Sequence, residues 1–244
     1  MNNNLTSSIV TQEFFGPANL QTNSEFITQA IDIERSAQIE RHSFFSLANS
    51  ELAALKFWVS QEAVVTNPFS QVLFSTLSHI NNVHVRALLM PVVSGEHGSF
   101  VNGIAKHSHP WLIWNLCKSI GIDYEHIKCS KAVTEFIHTL RETSSNPMRS
   151  LGALGIGNEL MLLAEYKAIE HSFELQCPHA DYKAFLHGNI TEDEHHTKLI
   201  EMAATALANS GFSERDFLEG AEIGVRARVK YYDQLQNEYQ FNNK

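Results

Sequence analysis

From residue 23 onward, apolar side chains return every three or four positions, and the spacing persists almost to the last residue. A period of 3.6 marks one face of an amphipathic helix, whereas a half-buried strand alternates every second residue. No convincing strand alternation interrupts the pattern. Punctuation is sparse as well. The 244 residues carry six prolines and twelve glycines, too few for many short strands joined by tight turns. The pattern predicts an all-α chain: a polar extension over 1–22, then a single helical domain over 23–244, with about seven or eight helices.

The helix limits follow from local signals. Ser24 is placed to cap "EFITQAIDIERSAQIERHSFFSLA". The stretch 51–80 reads as one helix, or as two broken near Pro68. "NNVHVRALLMPVVSGEHG" is a helix stopped by Gly95 and Gly98, and "HPWLIWNLCKSIGID" is another ending at Gly121. Asp123 caps the helix of "DYEHIKCSKAVTEFIHTLRETSSN". Pro147 opens the next one in a first-turn position. The helix of "DYKAFLHGNITEDEHHTKLIEMAATALANSG" stops at Gly211, and 213–240 forms the last.

Composition narrows the function classes. The net charge of −9 argues against nucleic acid and against a basic membrane-binding face. No apolar run approaches the ~20 residues of a membrane span. "MNNNLTSSIVTQ" has neither the basic nor the apolar region of a signal peptide. Cys117, Cys129 and Cys177 form no CxxC and no zinc-like spacing, so they read as free thiols of a reducing compartment. A cytoplasmic location is the expectation.

The informative residues are acids and histidines that lie on an apolar stripe, where a charge is costly unless paired or bound to metal. Glu159 sits between Gly155 and Ile156 on one side and Leu162 and Leu163 on the other. It needs a cation, which is either an Arg or Lys or a metal. Glu96 follows Val92 and Val93 near a helix end, and His109 opens a helix whose inner face continues through Leu112, Ile113 and Leu116. Each reads equally as a ligand or as a surface residue, and His107 is an alternative to His109. In "HGNITEDEHHTKLI", His196 lies one turn before Leu199 and Ile200, and Asp193 or Glu192 one turn earlier. Asp193 and His196, at i and i+3, can reach one metal ion. His195 and Glu194 fall on the solvated shoulder. A plain polar first turn is the other reading of this stretch. Oxygen and nitrogen donors from separate helices, without cysteine, suit iron or manganese better than structural zinc.

Two Glu-x-x-His pairs, Glu135/His138 and Glu192/His195, raise a ferritin-like alternative. Glu135 and His138, however, share a polar face with Lys131 and Glu142, opposite Val133, Phe136, Ile137 and Leu140. The glycines of "GALGIG" follow no strand and lack the dinucleotide fingerprint, so they read as close helix packing and no nucleotide cofactor is expected.

These pieces, "GEHG", "HPWLIWNLCKSIGID", "GALGIGNE" and "FLHGNITEDEHH", occur in an order that resembles the heme oxygenase-like helical bundle superfamily. That group contains the TenA thiaminases, the PQQ-synthesis oxidases and the CADD-like proteins. Over residues 25–215 the chain looks most like the CADD-like di-iron oxidases. The resemblance implies Glu96, His109, Glu159, Asp193 and His196 as metal ligands. The family's sixth ligand, a His four residues before the Asp, is here Asn189. His187 takes that role only if the helix unwinds or bulges around Gly188, because nine positions separate it from His196 and place the two on nearly opposite faces. Asn189 acting as a weak ligand, or a weak or absent metal position, are the other readings. Glu62 is a further candidate carboxylate.

The resemblance implies an oxidoreductase that holds two iron ions, or manganese, and uses O2 on a small organic substrate, as a homodimer. The alternatives are a metal-independent TenA-like hydrolase and a small-molecule-binding or interaction bundle. The substrate is not legible in the sequence.

Overall fold

A computed structural model describes residues 24–102 and 104–242, so the polar extension over 1–22 lies outside them. The chain forms α1 (Glu25–Ala37), a 3-10 turn (Ile39–Arg41), α2 (Ser43–Ser50), α3 (Leu52–Ser78), α4 (Val83–His97) and α5 (His109–Ser119). A second 3-10 turn (Tyr124–His126) and α6 (Lys131–Thr143) follow. Next comes a continuous rod made of α7 (Pro147–Leu151), a π-helical segment (Gly152–Leu160) and α8 (Met161–Gln176). The chain ends with α9 (Tyr182–Ala208) and α10 (Glu214–Asn242). The expected all-α bundle is the fold.

Polar side chains set many of the starts. Asn82 accepts from the amides of His84 and Val85, Ser108 from Trp111, Ser130 from Val133 and Asn146 from Arg149. Each satisfies a donor that a helix start leaves orphaned. Four expectations need adjustment. The single helix expected from Ser24 to Ala48 breaks at Gln38, which turns to a positive φ of 48°, into α1 and α2, and the Ser24 side chain makes no cap; of the two readings of 51–80, one helix with Pro68 inside it is what forms. Gly95 does not stop α4, which runs on to His97 until Gly98 turns into a positive φ of 60°. Asp123 caps only the 3-10 turn, because Ser130 offers a second cap and restarts the helix there. The loop between α4 and α5 carries a two-stranded antiparallel hairpin, Ser99–Val101 against Ile104–Lys106. Three-residue strands are too short to display alternation.

One connected core runs from Phe26 to Leu235. The rod packs along α10, and α9 lies against α4, α5, α8 and the π segment. The rod and α10 approach closely because glycine faces glycine: a Cβ on Gly157 would overlap the Cα of Gly224. That closeness draws the π segment, and Glu159 with it, deep into the bundle. No described helix is long and apolar enough to cross a membrane.

Candidate metal centre

Five of the six sequence-derived ligand candidates converge. Glu96 comes from the last turn of α4, His109 from the first residue of α5, Glu159 from the π segment, and Asp193 and His196 from successive turns of α9. All five are buried, at 4% exposure or less. Nδ1 of His196 lies 3.5 Å from Oε2 of Glu159 and 3.9 Å from Oδ1 of Asp193. Nδ1 of His109 lies 3.0 Å from Oε1 of Glu96. Glu96, His109, Glu159 and Asp193 line one enclosed space of about 20 Å³, the room of roughly one water molecule.

The electrostatics of this pocket are strained. Burial, reinforced by the facing Glu159 carboxylate, pushes the Asp193 carboxyl well above the usual range. Burial opposes a charge on His109, but Glu96 and a hydrogen bond to Glu192 outweigh it and hold the imidazole well above its ordinary value. His196 is raised in the same way, with Glu159 overcoming the effect of burial. Glu159 Oε2, both carboxylate oxygens of Asp193 and Nδ1 of His196 are buried without a hydrogen-bond partner. Each such orphan costs about 1–3 kcal/mol.

A metal ion fits these atoms. Glu159, Asp193 and His196 each offer one ligand atom within 4.8 Å of the others. First-row metal–ligand bonds of ~2.0–2.2 Å put opposed ligands about 4 Å apart, so a small contraction closes the set. The alternative, in which Glu159 pairs with Arg or Lys, is not what the bundle does. Among the described residues its ion-pair partner is His196.

The nearby arginine is engaged elsewhere. Arg228, fully buried on α10, holds Glu165 through Nε and Nη2 at 2.6–3.0 Å and Glu62 at 3.1 Å. Tyr231 donates to Glu62 and Tyr232 to Glu165, each at 2.8 Å, and Trp58 donates to the Tyr232 hydroxyl at 3.1 Å. Glu62 and Arg228 belong to the wall of the same space. Sequence reasoning singled out Glu62 but missed Glu165 and Arg228. Arg228 had a signal, since it lies on the stripe of Ala221, Val225, Tyr232 and Leu235.

The sixth candidate is not brought to the cluster. His187 is half exposed, and its Nε2 lies 2.6 Å from Glu170. No unwinding turns it inward: α9 is unbroken through Gly188. Asn189 is buried, but its amide donates to the carbonyl of Phe185, one turn back in the same helix. Sequence reasoning also underweighted Glu192. Its Oε2 lies 3.1 Å from Nε2 of His109, a cross-helix contact that no pattern within α9 announces.

The outer side of the cluster opens to a groove of about 830 Å³, lined among others by Met90, Gly95, His107, Glu192, His195 and His196. His195 and Glu194 are exposed, as their place on the shoulder implies, and His107 is exposed at a positive φ of 63°. Gly95 is the floor beneath His196. A Cβ there would stand 2.7 Å from Cε1 and 2.9 Å from Nε2 of that ring. The first pair of the ferritin-like alternative supplies no inward donor. Glu135, held down to about 2 by hydrogen bonds to Lys230 and Gln234, faces outward, and His138 is exposed beside Glu142.

Solved structures share this architecture. A CADD-like protein of unknown function from Nostoc punctiforme PCC 73102 superposes with a TM-score of 0.70 at 16% identity, over 87% of this chain and 96% of that one. A TenA homolog from Pseudomonas syringae pv. tomato str. DC3000 gives 0.69 at 11% identity, over 91% and 98%. Identities this low speak to the fold alone, which is the heme oxygenase-like bundle. No curated protein matches the chain significantly. The profile of a family described as iron-containing redox enzyme matches residues 56–229, a span that holds all five converging side chains, and the chain belongs to that family.

Proposed function

We propose that the chain is a non-heme oxidoreductase that binds iron, as a dinuclear centre, and uses O2 to oxidise a small organic substrate. The observation that carries this reading is the set of orphaned ligand atoms on Glu159, Asp193 and His196, buried beside a histidine and a further carboxylate. Folding such a set without a cation is costly, and the donor types favour iron, with manganese as the alternative. Glu159, Asp193 and His196 would hold one pole, and Glu96 and His109 the other. Bound ferrous iron would supply the electrons that reduce dioxygen.

The chain's own residues supply the surroundings. Val65, Phe69, Leu162 and Tyr166 line the enclosed space and limit water. Burial and the facing Glu159 raise the Asp193 carboxyl, and a bound cation would favour its carboxylate form. The enclosed space is far too small for an organic molecule. The groove, whose floor includes His196 and Glu192, is the side from which a substrate approaches.

A metal-independent hydrolase would require an activated thiol. Burial pushes Cys117 up to about 11 and raises Cys177, while Cys129 is exposed in the loop before α6. None lines the metal pocket.

The test is metal analysis of protein produced in iron-supplemented medium, followed by anaerobic Fe(II) titration and oxygen-electrode measurements. The expected result is iron in the purified protein, oxygen uptake on exposure to air, and loss of both in Glu159→Gln. Folded protein that takes up neither iron nor manganese would overturn the proposal.

A further inference from the structure

His109 is gripped at both ring nitrogens. Nδ1 lies 3.0 Å from Oε1 of Glu96 and Nε2 lies 3.1 Å from Oε2 of Glu192. The two carboxylates stand in different surroundings. Glu96 is 4% exposed and faces the enclosed space. The Glu192 side chain is 44% exposed and faces the groove. An imidazole that binds a metal does so through one unprotonated nitrogen and keeps its proton on the other.

We infer that Glu192 is the positioning residue of His109: it holds the proton on Nε2 and so makes Nδ1 the nitrogen presented to the metal. The inference rests on the metal reading above. The proton shared by His109 and Glu96 is the one a cation in the enclosed space displaces, because Glu96 is itself an oxygen donor facing that space. The Nε2 proton is untouched by that exchange, and Glu192 keeps it. A carboxylate on the distal nitrogen of a ligating histidine fixes the ring and raises its basicity.

Glu192 is well placed for this work. It is the neighbour of Asp193 in α9, and successive helical residues point about 100° apart. Asp193 thus turns to the inner pole while Glu192 turns across to α5. Its carboxylate is wedged over α4 as well, since a Cβ on Gly95 would stand 3.0 Å from Oε2. One turn of α9 therefore supplies a ligand to one pole and the support for the other.

The experiment uses full-length protein labelled with [15N]histidine and zinc chloride as a diamagnetic probe, with long-range 1H–15N spectra and competitive zinc titration. In the zinc-loaded protein, Nε2 of His109 is expected to be protonated and Nδ1 to carry the metal-induced shift. Glu192→Ala should weaken zinc binding about 10–100-fold and expose the Nε2 proton to exchange. Glu192→Gln, whose amide oxygen still accepts, should restore the proton signal and most of the affinity. A merely structural role would not move the site of protonation. Metal found on Nε2, or unchanged zinc affinity in Glu192→Ala, overturns the inference. If the parent protein takes up no zinc, the metal reading still stands or falls on the iron and manganese uptake above. The metal-free protein then decides: a slowly exchanging Nε2 proton that is lost in Glu192→Ala upholds the role of Glu192, and one that is unchanged refutes it.

Discussion

Gly95→Ala is a single methyl placed against the metal pocket from outside. The new Cβ would stand 2.7 and 2.9 Å from two ring atoms of His196 and 3.0 Å from Oε2 of Glu192. Relaxed carbon contacts lie near 3.5–4.0 Å, so the ring must retreat by roughly 1 Å, away from α4. The fold itself loses little. Overpacking costs about 1–3 kcal/mol, and alanine in a helix interior returns about 1 kcal/mol relative to glycine. The net cost is about 0–2 kcal/mol, a fall in Tm of at most about 8 °C for a chain of this size. The ligand cannot retreat without consequence, and iron affinity should drop about 10–100-fold, the range seen when a ligand's support is disturbed. Gly188→Ala is the internal control. Its Cβ would meet only Leu112 Cδ1, at an ordinary 3.6 Å, so affinity should stay the same. Anaerobic Fe(II) titration against a competing chelator, paired with thermal melts, reads both quantities. A folded Gly95→Ala protein that binds iron as tightly as the parent would refute the placement of His196 as a ligand.

Glu159→Gln should abolish tight iron binding yet raise the Tm of the metal-free protein, because it removes one of two facing buried carboxylates. A lowered Tm would show that Glu159 serves the fold rather than the site. Arg228→Met leaves Glu62 and Glu165 uncompensated and should cost about 3–5 kcal/mol by urea denaturation; a cost below about 1 kcal/mol would show that the network is not coupled. The raised values of His109 and His196 mean that their contribution is fully present below pH 6.5, the ordinary histidine value, and is lost as pH rises through their folded values. Asp193, raised by burial, likewise loses stability as pH rises from its ordinary value of 3.8 up to its folded value. The Tm of the metal-free protein should therefore fall as pH rises above neutrality, and saturating Fe(II) should remove the fall. A flat profile would contradict the cluster's electrostatics.

Helix periodicity made most of the architecture readable, because a buried stripe repeats over many turns and tolerates errors at single positions. Asp193, His196 and Glu159 were readable for the same reason: each interrupts a stripe that must otherwise be apolar. The hairpin after Gly98 was not, since three residues per strand hold too little pattern. Glu192 was legible only as an alternative to Asp193, because its significance lies in a contact with α5, and a one-dimensional period reports the face of a residue but not its partner. The direction of His187 could be read from nine positions of helical rotation, provided that Gly188 does not break the helix, and it does not. Arg228 was readable on the stripe of α10, where a lone arginine among Ala221, Val225 and Tyr232 implies buried acids opposite.

The π segment places Glu159 under a constraint of phase. A run with i→i+5 hydrogen bonds behaves as a helix that has absorbed extra chain, so everything after Leu160 is rotated relative to what an uninterrupted α-helix from Pro147 would give. Were all nine residues of the segment to wind as α-helix instead, the one residue of extra chain would turn the downstream side chains by about 100°. Glu165 would then swing off Arg228, and Glu159 off His196. In this rod, chain length works as an angular setting. The extra chain held in the π run is what keeps two buried sites in phase with their partners at once.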